Sequence, residues 1–227
     1  MSVTRALRTA YLAAGALSVV AAAAGRRGDR LTRIVKPALM PLLAGTVSAG
    51  AERRTAGTVS VIAGLAGGWV GDIILMGADG RSADPRTRAR NLNRGSAAFA
   101  FNQVAYIVEL WRTGHRPRRN TVAPRAPVLA SGIVTAATGA PAALPAAAGY
   151  GALLATTSVL AADEGETTAL GLGGGLFVLS DGLILARQAF LTGQNPAVRV
   201  IDGIVDGLVM ATYVVAQLLI VEGLTRD

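Results

Sequence analysis

Apolar residues in this chain fall in blocks. Eight runs stand out: residues 10–25, 34–50, 57–77, 95–111, 127–140, 142–162, 168–190 and 201–222. Runs of about 18–20 residues with few charges can cross a bilayer as helices, whereas soluble cores seldom string several together. The pattern predicts an all-α, polytopic membrane protein. It is a bundle of about eight transmembrane helices, forming a single integral membrane domain over residues 1–227. An even number of spans places both termini on one side.

Each run has its own signature. The first follows Arg5 and Arg8 and ends in alanines, the shape of a signal peptide. Because further spans follow, it is expected to stay as the first helix. Lys36-Pro37-Ala38-Leu39-Met40-Pro41 opens the second span, and Glu52-Arg53-Arg54 closes it. Pro37 suits a first helical turn; Pro41 lies deeper and is expected to kink the helix or free a carbonyl. In the third span, Gly64, Gly67, Gly68 and Gly71 recur every three or four residues, a flat face for another backbone. Asn102, Tyr106 and Glu109 share one face of the fourth. A short Pro-containing turn joins the fifth and sixth. Arginines gather in segments 26–36, 79–94 and 112–125, read as basic loops, and Asp163-Glu164-Gly165-Glu166 is an acidic one.

Composition narrows the chemistry. Hydrophobic residues make up 52% of the chain and charged residues only 16%, with a mean hydropathy of +0.46. The net charge of +8 is no nucleic-acid signature, because the arginines lie between apolar runs and serve as interface anchors. They divide almost evenly between the two sides, so charge gives no orientation. There is no cysteine and a single histidine, His115, in a basic segment. Disulfides, thiolate sites, histidine metal clusters and Ser-His-Asp triads are thereby excluded. Acid–base work falls to carboxylates, tyrosines, water and Lys36, the one lysine.

Two acids stand where a bilayer span should be apolar. Asp72 is the only ionisable side chain in 57–77, and Asp181 sits in the same predicament in the seventh run. A carboxylate at that depth is costly unless it faces the bundle interior and finds a partner. Each could glue helices together, or the two could share a polar cavity. In the eighth span Asp202, Asp206, Tyr213 and Gln217 fall on one face and need a polar partner surface. Two facing carboxylates, one protonated and one ionised, suit a reaction through an oxocarbenium ion. Lys36 could neutralise one of them, bind a phosphate or anchor the interface. Asp181-Gly182 with Asp202 and Asp206 approaches the CDP-alcohol phosphotransferase signature. Val178 stands where that signature needs an Asp, so no metal is expected.

Several motifs in order resemble one family. They are Lys36-Pro37-x-x-Met40-Pro41-Leu42-Leu43, Gly71-Asp72-x-x-Leu75-Met76, Gly95-x-x-Ala98-Phe99 with Tyr106, Ser180-Asp181, and Tyr213-x-x-Ala216-Gln217-x-x-Ile220. Together, from about Arg33 to Gly223, they resemble the YhhN family, which includes the lysoplasmalogenases. The resemblance implies an eight-helix membrane hydrolase that cleaves the vinyl ether of lysoplasmalogens to a fatty aldehyde and a glycerophospho-headgroup. The family's polar positions carry over to Lys36, Asp72, Tyr106, Asp181, Tyr213 and Gln217. One departs: where the family commonly has a histidine, three residues before the tyrosine of the fourth span, this chain has Gln103.

The expected function is therefore hydrolysis of a lysoplasmalogen-type lysophospholipid in the cell membrane, without a cofactor. Asp72 and Asp181 are the expected catalytic pair, in either assignment of acid and base. Lys36, Gln103, Tyr106, Asp206, Tyr213 and Gln217 are expected on the substrate side. The partners expected are the lysophospholipid and the surrounding membrane lipids, with no nucleic acid. A non-catalytic lipid or small-molecule binder or transporter, using the same cavity, is the alternative; it would be expected to show paired halves, and no internal repeat of useful length is present.

Overall fold

The computed structural model describes residues 2–51, 55–191 and 195–225. Among them the chain forms eight α-helices and no strand. They are α1 (Val3–Ala23), α2 (Asp29–Gly50), α3 (Ala56–Leu75), α4 (Pro85–Arg112), α5 (Arg119–Gly139), α6 (Gly151–Ala161), α7 (Ala169–Phe190) and α8 (Pro196–Leu224). Glu52, Arg53 and Arg54, expected to close the second span, lie outside the described residues. By length and composition, α1, α3, α7 and α8 are long and apolar enough to cross a membrane.

The helices follow the apolar runs in order but overrun them. The segments read as basic loops are largely helical. Arg86, Arg88, Arg90 and Arg94 ride on the first turns of α4, because Asp84 caps it and Pro85 opens it. The Asp84 carboxylate accepts the N–H groups of Arg86 and Thr87 at 3.2 and 3.0 Å. α2 likewise begins at Asp29, so Pro37 lies inside the helix and not in its first turn. Pro41 has no N–H for the Pro37 carbonyl one turn back. The Trp69 indole of α3 donates to that carbonyl at 2.9 Å. The sixth run is not one regular helix: a 3₁₀ turn (Pro141–Ala143) and a π turn (Ala146–Tyr150) precede α6.

Helix contacts close a ring. α1 packs on α2, α2 on α3, α3 on α4, α4 on α6, α6 on α7, α7 on α8, and α8 back on α1, while α5 lies against α6 and α7. The glycine face of α3 meets α4 as its spacing predicts. A Cβ at Gly64 would stand 2.9 Å from Ala105 Cβ, and one at Gly67 2.8 Å from a Phe101 ring carbon. Arg8 of α1 and Glu222 of α8 pair at 2.8 Å, bringing the two ends of the chain to one end of the bundle. The basic and acidic loops of that same end are tied by Arg118 to Asp163 and by Arg125 to Glu166.

The distribution of polarity is inverted relative to a soluble bundle. Leu12, Leu17, Val59, Ile73, Leu179 and Ile204 face outward, while Asp72, Asn102, Gln103, Ser180 and Gln217 are buried. An outward apolar surface with polar groups gathered inside fits a lipid solvent. The polar stripe of α8 finds three partners. Asp202 and Asp206 meet Arg187 of α7, Tyr213 meets Asp72 of α3, and Gln217 meets Tyr106 of α4.

Candidate active site

Asp72 lies near the end of α3 and is 1% exposed. Lys36, two turns into α2, places Nζ 3.0 Å from its Oδ1. The Tyr213 hydroxyl of α8 donates to its Oδ2 at 2.8 Å. Both oxygens are engaged, one of them by a cation, so Asp72 is held as a paired carboxylate. A buried charge of this kind requires such compensation. The ammonium also lies 5.8 Å from the centroid of the Tyr213 ring, within cation–π range. Of the roles open to Lys36 in the sequence, the structure shows the neutralising one.

Asp181, at the middle of α7, is served differently. It is partly buried. Its Oδ2 accepts a hydrogen bond from the Tyr150 hydroxyl, and it makes no ion pair among the described residues. Tyr150 ends the π turn before α6. The wider turn belongs to a break in helical register, a feature common beside functional sites. Nothing in the sequence singled Tyr150 out: an Ala- and Gly-rich run with one tyrosine reads as packing, and its partner is fixed only by tertiary structure.

Both acids open on one cavity of about 130 Å³, to which Lys36, Tyr150 and Tyr213 also contribute. The remaining walls are mostly apolar, including Phe99, Leu129, Leu154 and Val178. Phe99, Phe177 and Tyr213 meet edge to face, with centroids 5.8–6.4 Å apart, and hold the wall near Asp72 in place.

The other residues expected at the site are placed around it. Gln103, Tyr106 and Gln217 are not among the residues that line this cavity. The Tyr106 hydroxyl donates to Gln217 Oε1 at 2.6 Å, deep in the bundle. Gln103 is fully buried near the Tyr150 hydroxyl, and neither of its amide atoms makes a close hydrogen bond. Asp206 pairs with Arg187 in a second, wider cavity.

The resemblance carried by the ordered motifs agrees with a comparison to known families. The YhhN family model matches residues 31–224. The chain belongs to the YhhN family. The match runs from the start of α2 to the end of α8 and includes every group around the cavity. No curated protein and no solved structure matches the chain. Membership in the YhhN family fits a lysoplasmalogenase-like membrane protein, and the long apolar helices fit the same setting.

Proposed function

We propose that this YhhN protein is a hydrolase of the cell membrane, with all eight helices spanning. It cleaves the vinyl ether of lysoplasmalogen-type lysophospholipids to a fatty aldehyde and a glycerophospho-headgroup. The observation that carries this reading is the shared cavity. Two carboxyl groups with unlike partners face one mostly apolar space, which Lys36, Arg125, Tyr150 and Tyr213 also line, with a polar vestibule on the far side of Lys36. An amphiphile with the first carbons of its chain in the apolar part brings the bond between chain and glycerol to the acids.

The unlike partners suggest unlike roles. Asp181 has no cation beside it and suits the proton donor. It gives its proton to carbon 2 of the vinyl ether, and the alkenyl oxygen shares the positive charge left on carbon 1. Asp72, kept ionised by Lys36, stabilises that oxocarbenium ion. Water adds to carbon 1 and loses a proton to the Asp181 carboxylate, which restores the acid. The hemiacetal then transfers its hydroxyl proton to the glycerol oxygen and falls apart to aldehyde and headgroup alcohol. Tyr150, bonded to one oxygen of Asp181, orients the carboxyl group so that the other faces the cavity.

Aldehyde release from a lysoplasmalogen by purified protein in detergent tests the reading. Wild type is expected to release aldehyde, and Asp181→Asn and the paired variant Lys36→Met with Asp72→Asn to lose it while remaining folded. Full activity in either variant contradicts the assignment. Tight lysolipid binding by folded wild type with no aldehyde favours the non-catalytic binder.

A further inference from the structure

The cavity of the two acids is not the only space that reaches Lys36. A wider one of about 730 Å³ adjoins it, and a recess of about 330 Å³ lies beside that. All three share Lys36, Leu75 and Met210 as common wall. The wider space is a vestibule at the end of the bundle opposite the chain termini, where α1 gives way to α2, and where α4 and α8 begin.

Its charge is one-sided. Arg26, Arg27, Arg88, Arg187 and Arg199 line the vestibule with Lys36, and Arg33 lines the recess. The acids facing these spaces are Asp29, Asp202 and Asp206. Asp202 and Asp206 both hold Arg187: its Nε is 2.8 Å from Asp202 Oδ1, and its Nη1 binds Asp206. Arg88 donates to the carbonyls of Ser82 and Ala83, which leaves its charge unneutralised. Arg26, Arg27 and Arg199 make no ion pair among the described residues. Lys36 is occupied by Asp72 at 3.0 Å, so an anion entering from the vestibule meets guanidinium groups and not the lysine.

We infer that Arg26, Arg27 and Arg199 form a subsite for a phosphate ester at the mouth of the acid-lined cavity. Guanidinium forks match phosphate oxygens in pairs, and several unneutralised forks around one polar space favour a multiply bonded anion. The position fits the headgroup phosphate of a single-chain lipid. With the first carbons of the chain in the apolar cavity and the phosphate in the vestibule, the glycerol link crosses the shared wall at Lys36. The inference rests on reading the apolar cavity as the chain site, and it adds the residues that hold the headgroup phosphate.

Binding, scored apart from turnover, tests it. The probes are lysophosphatidylcholine, whose ester chain carries no vinyl ether, and a monoacylglycerol of the same chain. Dissociation constants come from native mass spectrometry of the full chain released from maltoside micelles. Wild type is expected to bind the phospholipid about tenfold or more tightly than the monoacylglycerol, the scale of a charge-assisted contact. Arg26→Gln with Arg27→Gln, and Arg199→Gln, are expected to erase that preference and leave monoacylglycerol binding unchanged. Arg119→Gln, exposed at the opposite end of the bundle, is expected to keep it. Equal affinity for the two lipids, or a preference untouched by the vestibule variants, overturns the subsite.

Inorganic phosphate separates the sources. Arginine-dependent displacement of the lysolipid by phosphate alone assigns the subsite to the free anion, and resistance to it assigns the lipid headgroup. Arginine-dependent lysolipid binding without aldehyde release from lysoplasmalogen removes the hydrolase reading and keeps the subsite. Aldehyde release with arginine-independent binding does the reverse.

Discussion

Asp72 and Asp181 are the same side chain in two settings, and only one of the settings pairs it with a cation. Asp72 has an ammonium at 3.0 Å and a phenol at 2.8 Å; Asp181 has a phenol and no cation. Removing one member of a buried ion pair leaves a charge without compensation, at a cost of about 3–5 kcal/mol, whereas removing both costs far less. Lys36→Met is therefore expected to lower thermal stability in detergent sharply, and Lys36→Met combined with Asp72→Asn to recover most of it. A double variant no more stable than the single one would count against a real pair. Tyr150→Phe keeps the ring and loses the hydroxyl, so kcat is expected to fall about tenfold or more with little change in melting temperature, measured by steady-state assay and thermal unfolding. Both acids were legible in the sequence because each interrupts an apolar run. Lys36 was legible too, as a group able to neutralise one of them; Tyr150 was not. Tyr150 looks like packing until the fold brings α6 against α7, and Gln103, prominent by resemblance, is buried near Tyr150 and does not line the cavity.

At the level of the elements, the third helix owes its place to a surface without side chains. Gly64 faces Ala105 so closely that a methyl group there forces backbone movement, while a Cβ at Gly68 meets its nearest atoms at 3.6–3.7 Å, ordinary contact. Gly64→Ala is expected to destabilise the protein by about 1–3 kcal/mol, and Gly68→Ala to be near neutral, as read by thermal unfolding. Equal effects would contradict the packing of α3 on α4. The glycine spacing announced this face. It could not announce that the arginine-rich segments are helical, because charge density reads as loop while the Asp84 cap carries α4 outward and α2 starts as early as Asp29. Nor could it show that Trp69 serves the carbonyl left free by Pro41, a pairing made only across two helices.

The loops at the end bearing the termini add a pH-dependent contribution. Glu166, before α7, is held below its ordinary value of 4.5 by hydrogen bonds from Arg125, which outweigh the opposing effect of burial. Its contribution is present above that ordinary value and is lost as pH falls through the lowered one. Because Glu166 is half exposed, it is worth at most about 1 kcal/mol. The melting temperature of Glu166→Gln is expected to lie slightly below wild type near neutral pH and to converge with it in strong acid. A gap that widens on acidification would contradict the pairing.

Taken whole, the molecule is a ring of helices around a divided interior. On one side of Lys36 lies a mostly apolar space with two acids; on the other lies a wider, arginine-lined vestibule. That division matches an amphiphile whose labile bond sits where polar meets apolar. The sequence disclosed the helical bundle and its two acids, but not the division, because Arg26, Lys36, Arg88, Arg187 and Arg199 lie far apart along the chain and share a space only through the closure of α8 on α1. The most direct measurement is turnover of a lysoplasmalogen in heavy water, with the aldehyde trapped at once by reduction to the alcohol. The account predicts that wild type yields an alcohol carrying one deuterium at carbon 2, delivered by the acid, and that Asp181→Asn yields none. No product from folded wild type, or an alcohol without deuterium at that carbon, would contradict it.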